Sequence, residues 1–183
     1  MRKIFLDVGA ANGNSIKFFR ENHKESDQFE IYSFEPFPKN IEELEQFKPK
    51  VTVIPAAVWS FDGEIPMYTG KPKSGSMYAD KITGKVSLEN KIMVPCIDLA
   101  KFIMENFKKE DEIWIKMNIE GSEYEVVPHL HKHGLIDWFD SIYIRWHATK
   151  IPSLVAVHDE IAKLVPDSVN LWRKKGMFPL EKS

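Results

Sequence analysis

Residues 3–19 read "KIFLDVGAANGNSIKFF", and the fold turns on how this stretch is read. Lys3–Val8 is an apolar run of the kind found in a strand buried on both faces. Asn14–His23 carries Ile16, Phe18 and Phe19 at helical spacing. Gly9 and Gly13 lie in the turn between them, where glycine permits positive φ or close backbone approach. The turn leads into a helix N-terminus, which favours anions.

The same alternation continues outward. Phe29–Phe34 reads as a second strand and Pro38–Phe47 as a helix with proline in its first turn. Val51–Val58 reads as a third strand. Ser60–Asn90 then breaks the pattern. It holds "FDGEIPMY", a hairpin arm, followed by a stretch rich in glycine, lysine and serine that suggests a lid. Lys91–Pro95 is the next strand, and Asp98 caps a helix over Leu99–Phe107. Glu112–Met117 is a strand. Glu123–His133 is a helix that Pro128 should kink or divide and Gly134 should end. Asp140–Trp146 is a strand, and Ser153–Leu164 is a helix with Leu154, Val157, Ile161 and Leu164 on one face. Asn170–Arg173 is a short last strand. The pattern predicts one α/β domain over residues 1–183, a doubly wound and mostly parallel sheet with right-handed crossovers.

Bulk properties narrow the function. The 183 residues suffice for one sizeable core, and a net charge of −2 with interspersed signs gives no electrostatic case for binding nucleic acid. No apolar run reaches the length of a membrane span, so no membrane partner is expected. The single cysteine, Cys96, sits in apolar "IMVPCIDL" and reads as a packing residue; a chain with one thiol suits a reducing compartment, and the cytoplasm is the expected location.

In doubly wound sheets, ligands bind beyond the carboxyl ends of the strands. Asp7, Glu35, the "PAA" at 55–57, Asn118 and His147 all fall at such ends. The first turn is no P-loop, because it lacks the Gly-Lys-Ser/Thr element, and Ala11 and Asn14 break a dinucleotide fingerprint. What remains suits a ligand carrying an amine and a carboxylate. Asp7 would meet the ammonium, and backbone amides near Asn12–Ser15 the carboxylate. Glu35, followed by Pro36, is placed to accept hydrogen bonds from ribose hydroxyls, and Ala56 and Ala57 leave room for a flat ring such as adenine. Together these features fit S-adenosyl-L-methionine.

The chain resembles the FkbM family of S-adenosylmethionine-dependent methyltransferases. The matching pieces are "FLDVGAANGNS", "FEPFP", "AAVW" followed by "DGEI", "SGSM", "VPCIDLAKFI", "IKMNIEGSEYEVVPHL" and "IYIRWH", in the family's order from residue 5 to 147. The resemblance implies a Rossmann-like class I methyltransferase sheet and methyl transfer, usually to the oxygen of a sugar or other small hydroxylated metabolite. The donor site it implies comprises Asp7, Gly9, Ala10, Asn12, Gly13, Asn14, Ser15, Glu35, Pro36, Ala56, Ala57 and Asn118.

The chemistry centres on "KMNIEGSE". A hydroxyl needs a base before it attacks a sulfonium methyl, and Glu120 and His147 are the candidates. Lys116 is expected to polarise the acceptor oxygen or hold Glu120, and Glu123 to occupy the first turn of the next helix. The family usually has an aspartate where this chain has Asn118, which weakens a metal-assisted route; no metal is assigned. Arg145 also departs from the family, which usually carries an acid there. His129 and His133 are spaced as a metal pair but suit a helix C-terminus. Trp59, Trp114 and Trp146 are expected in the core. Lys71, Lys73, Lys81 and Lys85 are expected on a solvated loop face, or guiding an anionic substrate under a lid. Two other functions stay open: a degenerate methyltransferase fold acting as a binding or scaffold module, and an NAD-dependent oxidoreductase. The tail from 166 looks short for the last two strands of a full class I sheet. One edge strand would then be missing or come from a partner copy, so a homo-oligomer is considered.

Overall fold

The structure is a computed structural model that describes residues 1–70 and 75–166. Five strands form a central, wholly parallel sheet: β1 (Lys3–Val8), β2 (Phe29–Phe34), β3 (Val51–Ile54), β8 (Glu112–Met117) and β9 (Phe139–Ile144), in the order β3-β2-β1-β8-β9. Side chains alternate across it. Ile4, Leu6 and Val8 face α3 (Leu99–Asn106) and α4 (Glu123–Lys132), while Phe5 faces α1 (Asn14–Asn22) and α2 (Pro38–Leu44). Burial on both faces explains why these strands read as unbroken apolar runs. The chain leaves β1 toward β2 on one side and returns to pair β8 on the other, which makes the carboxyl end of β1 a switch point where a crevice opens.

The expected third strand, Val51–Val58, is two strands in two sheets. Pro55 and Ala56 interrupt it, with the Ala56 N–H donating to the Ile54 carbonyl at 2.9 Å. β4 (Ala57–Trp59) then joins a second sheet with β5 (Gly63–Thr69), β6 (Gly75–Ser76) and β7 (Lys91–Asp98), in the order β4-β7-β5-β6. The strand expected over Lys91–Pro95 extends to Asp98 because β4 pairs parallel with Cys96–Asp98, while β5 pairs antiparallel with Lys91–Cys96. Ile65, Met67, Val94 and Cys96 form the core of this sheet. Cys96 is buried as expected.

Three further expectations meet a physical correction or limit. Pro128 neither divides α4 nor stops it. It forfeits one hydrogen bond, but the fully buried Val126, Val127 and Leu130 hold the helix against β8 and β9. Ser153–Leu164 is not one amphipathic helix. Pro152–Val157 is 3-10, and only α5 (His158–Ala162) is α-helical, so Val157 falls out of register and is 36% exposed. Asn170–Arg173 lies outside the described residues, among which β3 and β9 are the edges of the central sheet. Asp98 does cap α3, accepting the Lys101 N–H at 3.0 Å. Trp114 is half-buried and packs with Phe19, His23 and Phe29 at the margin of the core. No helix among the described residues is long and apolar enough to cross a membrane.

Candidate active site

The ends of β1, β2 and β8 frame a cleft that encloses about 760 Å³ including its open mouth. Gly9, Ala11, Glu35, Pro36, Ala56, Ala57, Asn118 and Glu120 line it, and the second sheet closes the far wall with Met67, Ser76 and Met77. The structure thus brings together Gly9, Glu35, Pro36, Ala56, Ala57, Asn118 and Glu120, but the other residues expected at the site lie off the cleft wall.

Asp7 is fully buried and faces α1 rather than the cleft. Its carboxylate accepts the Ser15 hydroxyl at 2.6 Å and lies 3.0 Å from Lys116 Nζ. Lys116 also donates to the Gly9 carbonyl at 2.7 Å. The parallel register that pairs Asp7 with Lys116 across β1 and β8 dictates this contact. Lys116 therefore does not hold Glu120, nor does it line the cleft; it braces the glycine turn. Ala10 packs into the core and Gly13 faces Leu44 and Phe47. Asn12 and Asn14 are exposed, and neither they, Gly13 nor Ser15 line the cleft.

Gly9, just after β1, packs against the backbone just after β8. Its φ is +82°, and a Cβ there would sit 2.4 Å from the backbone oxygen of Asn118. Gly9→Ala should cost about 2–3 kcal/mol through backbone strain and separation of the two strand ends. Urea denaturation should show this loss. A variant as stable as wild type would contradict the close approach.

Glu35 is clamped by the loops it joins. It accepts the Ala11 N–H at 2.8 Å, the Phe37 N–H at 2.9 Å and the Asn40 side chain at 3.2 Å. Burial pushes its carboxyl up from the ordinary value, against the pull of those donors. One lone pair of Oε2 is left for a ligand hydroxyl. Asn118 Oδ1 is a buried acceptor with no hydrogen-bond partner among the described residues, on the same cleft wall.

The sharpest electrostatics lie at the turn after β8. Glu120 has φ +56°, and its side chain meets Lys81 Nζ at 2.7 Å. His147, fully buried at the end of β9, donates from Nδ1 to Glu123 at 3.1 Å and places Nε2 3.5 Å from Glu120, an electrostatic contact rather than a formed hydrogen bond. Burial alone would raise the Glu120 carboxyl, but His147 and Lys81 together hold it down to about 2. Burial would lower the His147 imidazolium, and the two carboxylates outweigh it and raise it above its usual value.

Glu123 does begin α4, but it is fully buried, and it also accepts the Ile119 N–H at 2.7 Å and the Gly121 N–H at 2.8 Å. It shapes the turn that carries Glu120 and orients His147 as well. Lys81, expected on a solvated face, is 5% exposed. Tyr78, also unforeseen, packs beneath Gly121, where a Cβ would lie 2.8 Å from its ring. Burial among the carboxylates of Glu125, Glu123 and Asp80 pushes its phenol up to about 12. Arg145 is exposed. His129 is engaged by Asp98 at 2.8 Å, and among the described residues no group of His, Cys, Asp and Glu could hold a metal ion.

The sheet order and the cleft at its switch point define a Rossmann-like α/β protein. The chain matches the Methyltransferase FkbM domain over residues 7–170 and belongs to that family. Among solved structures it is similar to the methyltransferase FkbM from Methylobacillus flagellatus KT, at 18% identity with a TM-score of 0.54, over 91% of this chain and 38% of that one. The likeness shows the fold, and this chain spans well under half of that protein's length. No curated protein matches it.

Proposed function

We propose that the protein is an S-adenosylmethionine-dependent O-methyltransferase acting on a hydroxyl of a small molecule or glycan. The observation that carries this reading is Glu120, an ionised carboxylate on the cleft wall backed by a buried histidine. The cleft's donors and acceptors fit the methyl donor. Asn118 Oδ1 lacks a partner among the described residues and suits an ammonium, Glu35 keeps one lone pair for a ribose hydroxyl, and Ala56 and Ala57 open an apolar wall with Met67 and Met77 to a flat ring. Bound there, S-adenosylmethionine supplies an electrophilic methyl group on a sulfonium.

The chain's own residues then act on the acceptor. Glu120, held at about 2, is too weak a base to keep a proton. It accepts the hydrogen bond of the attacking hydroxyl, orients it, and passes the proton to His147 Nε2. Glu123 fixes the tautomer by accepting from Nδ1 and stabilises the imidazolium that forms. Lys116 and Asp7 hold the glycine turn and touch neither partner. We place the enzyme in the cytoplasm, a location the lone buried thiol supports.

Calorimetry with S-adenosylmethionine and, separately, NAD tests the donor assignment. Micromolar binding of the first and none of the second is the expected outcome. NAD binding alone would overturn it. Donor binding without turnover of any sugar, polyol or phenol in an acceptor panel would favour a degenerate binding module.

A further inference from the structure

We propose that Lys81 is a positioning residue of the active site, the cation that the excursion between β4 and β7 delivers to hold Glu120 at the cleft and, through Glu120, to set the proton affinity of His147. The inference rests on the reading that Glu120 serves the acceptor. Lys81 Nζ lies 2.7 Å from Glu120 Oε2, and its side chain is 3% exposed, so this lysine is placed rather than solvated. Three contacts anchor the segment that carries it, and a fourth turns the chain within it. The Ser76 hydroxyl donates to the Glu120 carbonyl at 2.6 Å, and the Tyr78 N–H donates to Ser76 Oγ at 3.1 Å. The Ile82 N–H donates to the Lys150 carbonyl at 2.9 Å, and the Ser153 N–H to Asp80 at 2.8 Å. The excursion is thereby fastened both to the Glu120 turn and to the loop after His147.

Charges then alternate through the site as Lys81, Glu120, His147 and Glu123. The groups facing His147 from the surrounding elements are Glu123 on α4 and Glu120 on the turn before it, with Lys81 beyond Glu120 on the excursion. Tyr78 packs on the same turn, and Tyr124 accepts the Ala148 N–H at 3.2 Å. A carboxylate shared between two cations pulls less strongly on either one. With Lys81 gone, Glu120 would lean on His147 alone, and the imidazolium would become harder to deprotonate. A lysine that only pinned the excursion would leave His147 unaffected.

The test is an NMR titration of the histidine ring protons in the free protein, with the His147 signal assigned by its loss in H147N. The expected result for K81M is a His147 midpoint raised by about 0.5–1 pH unit, with K81R close to wild type. In the E120Q background, adding K81M should shift nothing further, because Lys81 acts through Glu120. That double variant also removes the unpaired half-buried carboxylate, should K81M alone fold poorly. An unchanged midpoint in folded K81M, or an equal shift from K81M with Glu120 already neutral, would overturn the proposal. Because the readout needs neither donor nor acceptor, failure of the methyl-transfer reading would appear separately, as absent donor binding in the wild-type calorimetry.

Discussion

Replacing Lys116 with methionine should remove about 3–5 kcal/mol of stability, a large share of what a domain this size possesses. Asp7 would then be a fully buried carboxylate with only the Ser15 hydroxyl to satisfy it. The Gly9 carbonyl would lose its donor as well. The cost lies in the uncompensated charge rather than in any intrinsic strength of the pair. Asp7→Asn combined with Lys116→Met should therefore recover at least about half of the loss. Urea denaturation of the two single variants and the double gives the coupling directly. If Lys116→Met unfolds within about 1 kcal/mol of wild type, Asp7 is not held as a buried anion and the bracing role is wrong.

The second large effect is on turnover. Glu120→Gln keeps the shape of the side chain but leaves a poor acceptor for the attacking hydroxyl. It should lower kcat about 10²–10³-fold. Donor affinity, read by calorimetry, should change little. His147→Asn should match it and also remove the ascending limb of the pH–rate profile. The sign follows from the histidine. Its proton affinity is raised by Glu120 and Glu123 over the opposing effect of burial, so the neutral form able to accept a proton appears only as pH climbs past the ordinary imidazole value of about 6.5. Rate should therefore rise with pH through a midpoint above that value. A rate independent of pH across that range, or Glu120→Gln turning over at the wild-type rate, would exclude proton transfer along this route.

The strands Lys3–Val8, Phe29–Phe34 and Glu112–Met117 are legible residue for residue, because burial on both faces writes an apolar run and a glycine, proline or polar turn ends it. The partition of Val51–Val58 between two sheets is not legible that way. Hydrophobicity marks a buried strand without naming its neighbours, and only Pro55 hints at the break. The cleft wall was readable from polar groups at strand ends, as Glu35, Asn118 and Glu120 show. The partners were not. Lys116 belongs to Asp7 because of a parallel register, Lys81 belongs to Glu120 through a long excursion, and neither pairing leaves a spacing in the chain. Glu123 looks like an ordinary first-turn acid of a helix; its burial is set by the turn that folds back over it.

The contact between Gly9 and Lys116 spans 107 residues. On a ribosome adding about 5–20 residues per second, the glycine turn waits about 5–20 s for the lysine that steadies it. During that interval β1 has β2 beside it and nothing on its other edge, since β8 has not been made. An open apolar strand edge is a template for pairing with other chains. The cleft wall at the end of β1 is thus completed only once β8 has been made, and until then that strand edge stays open to pairing with other chains.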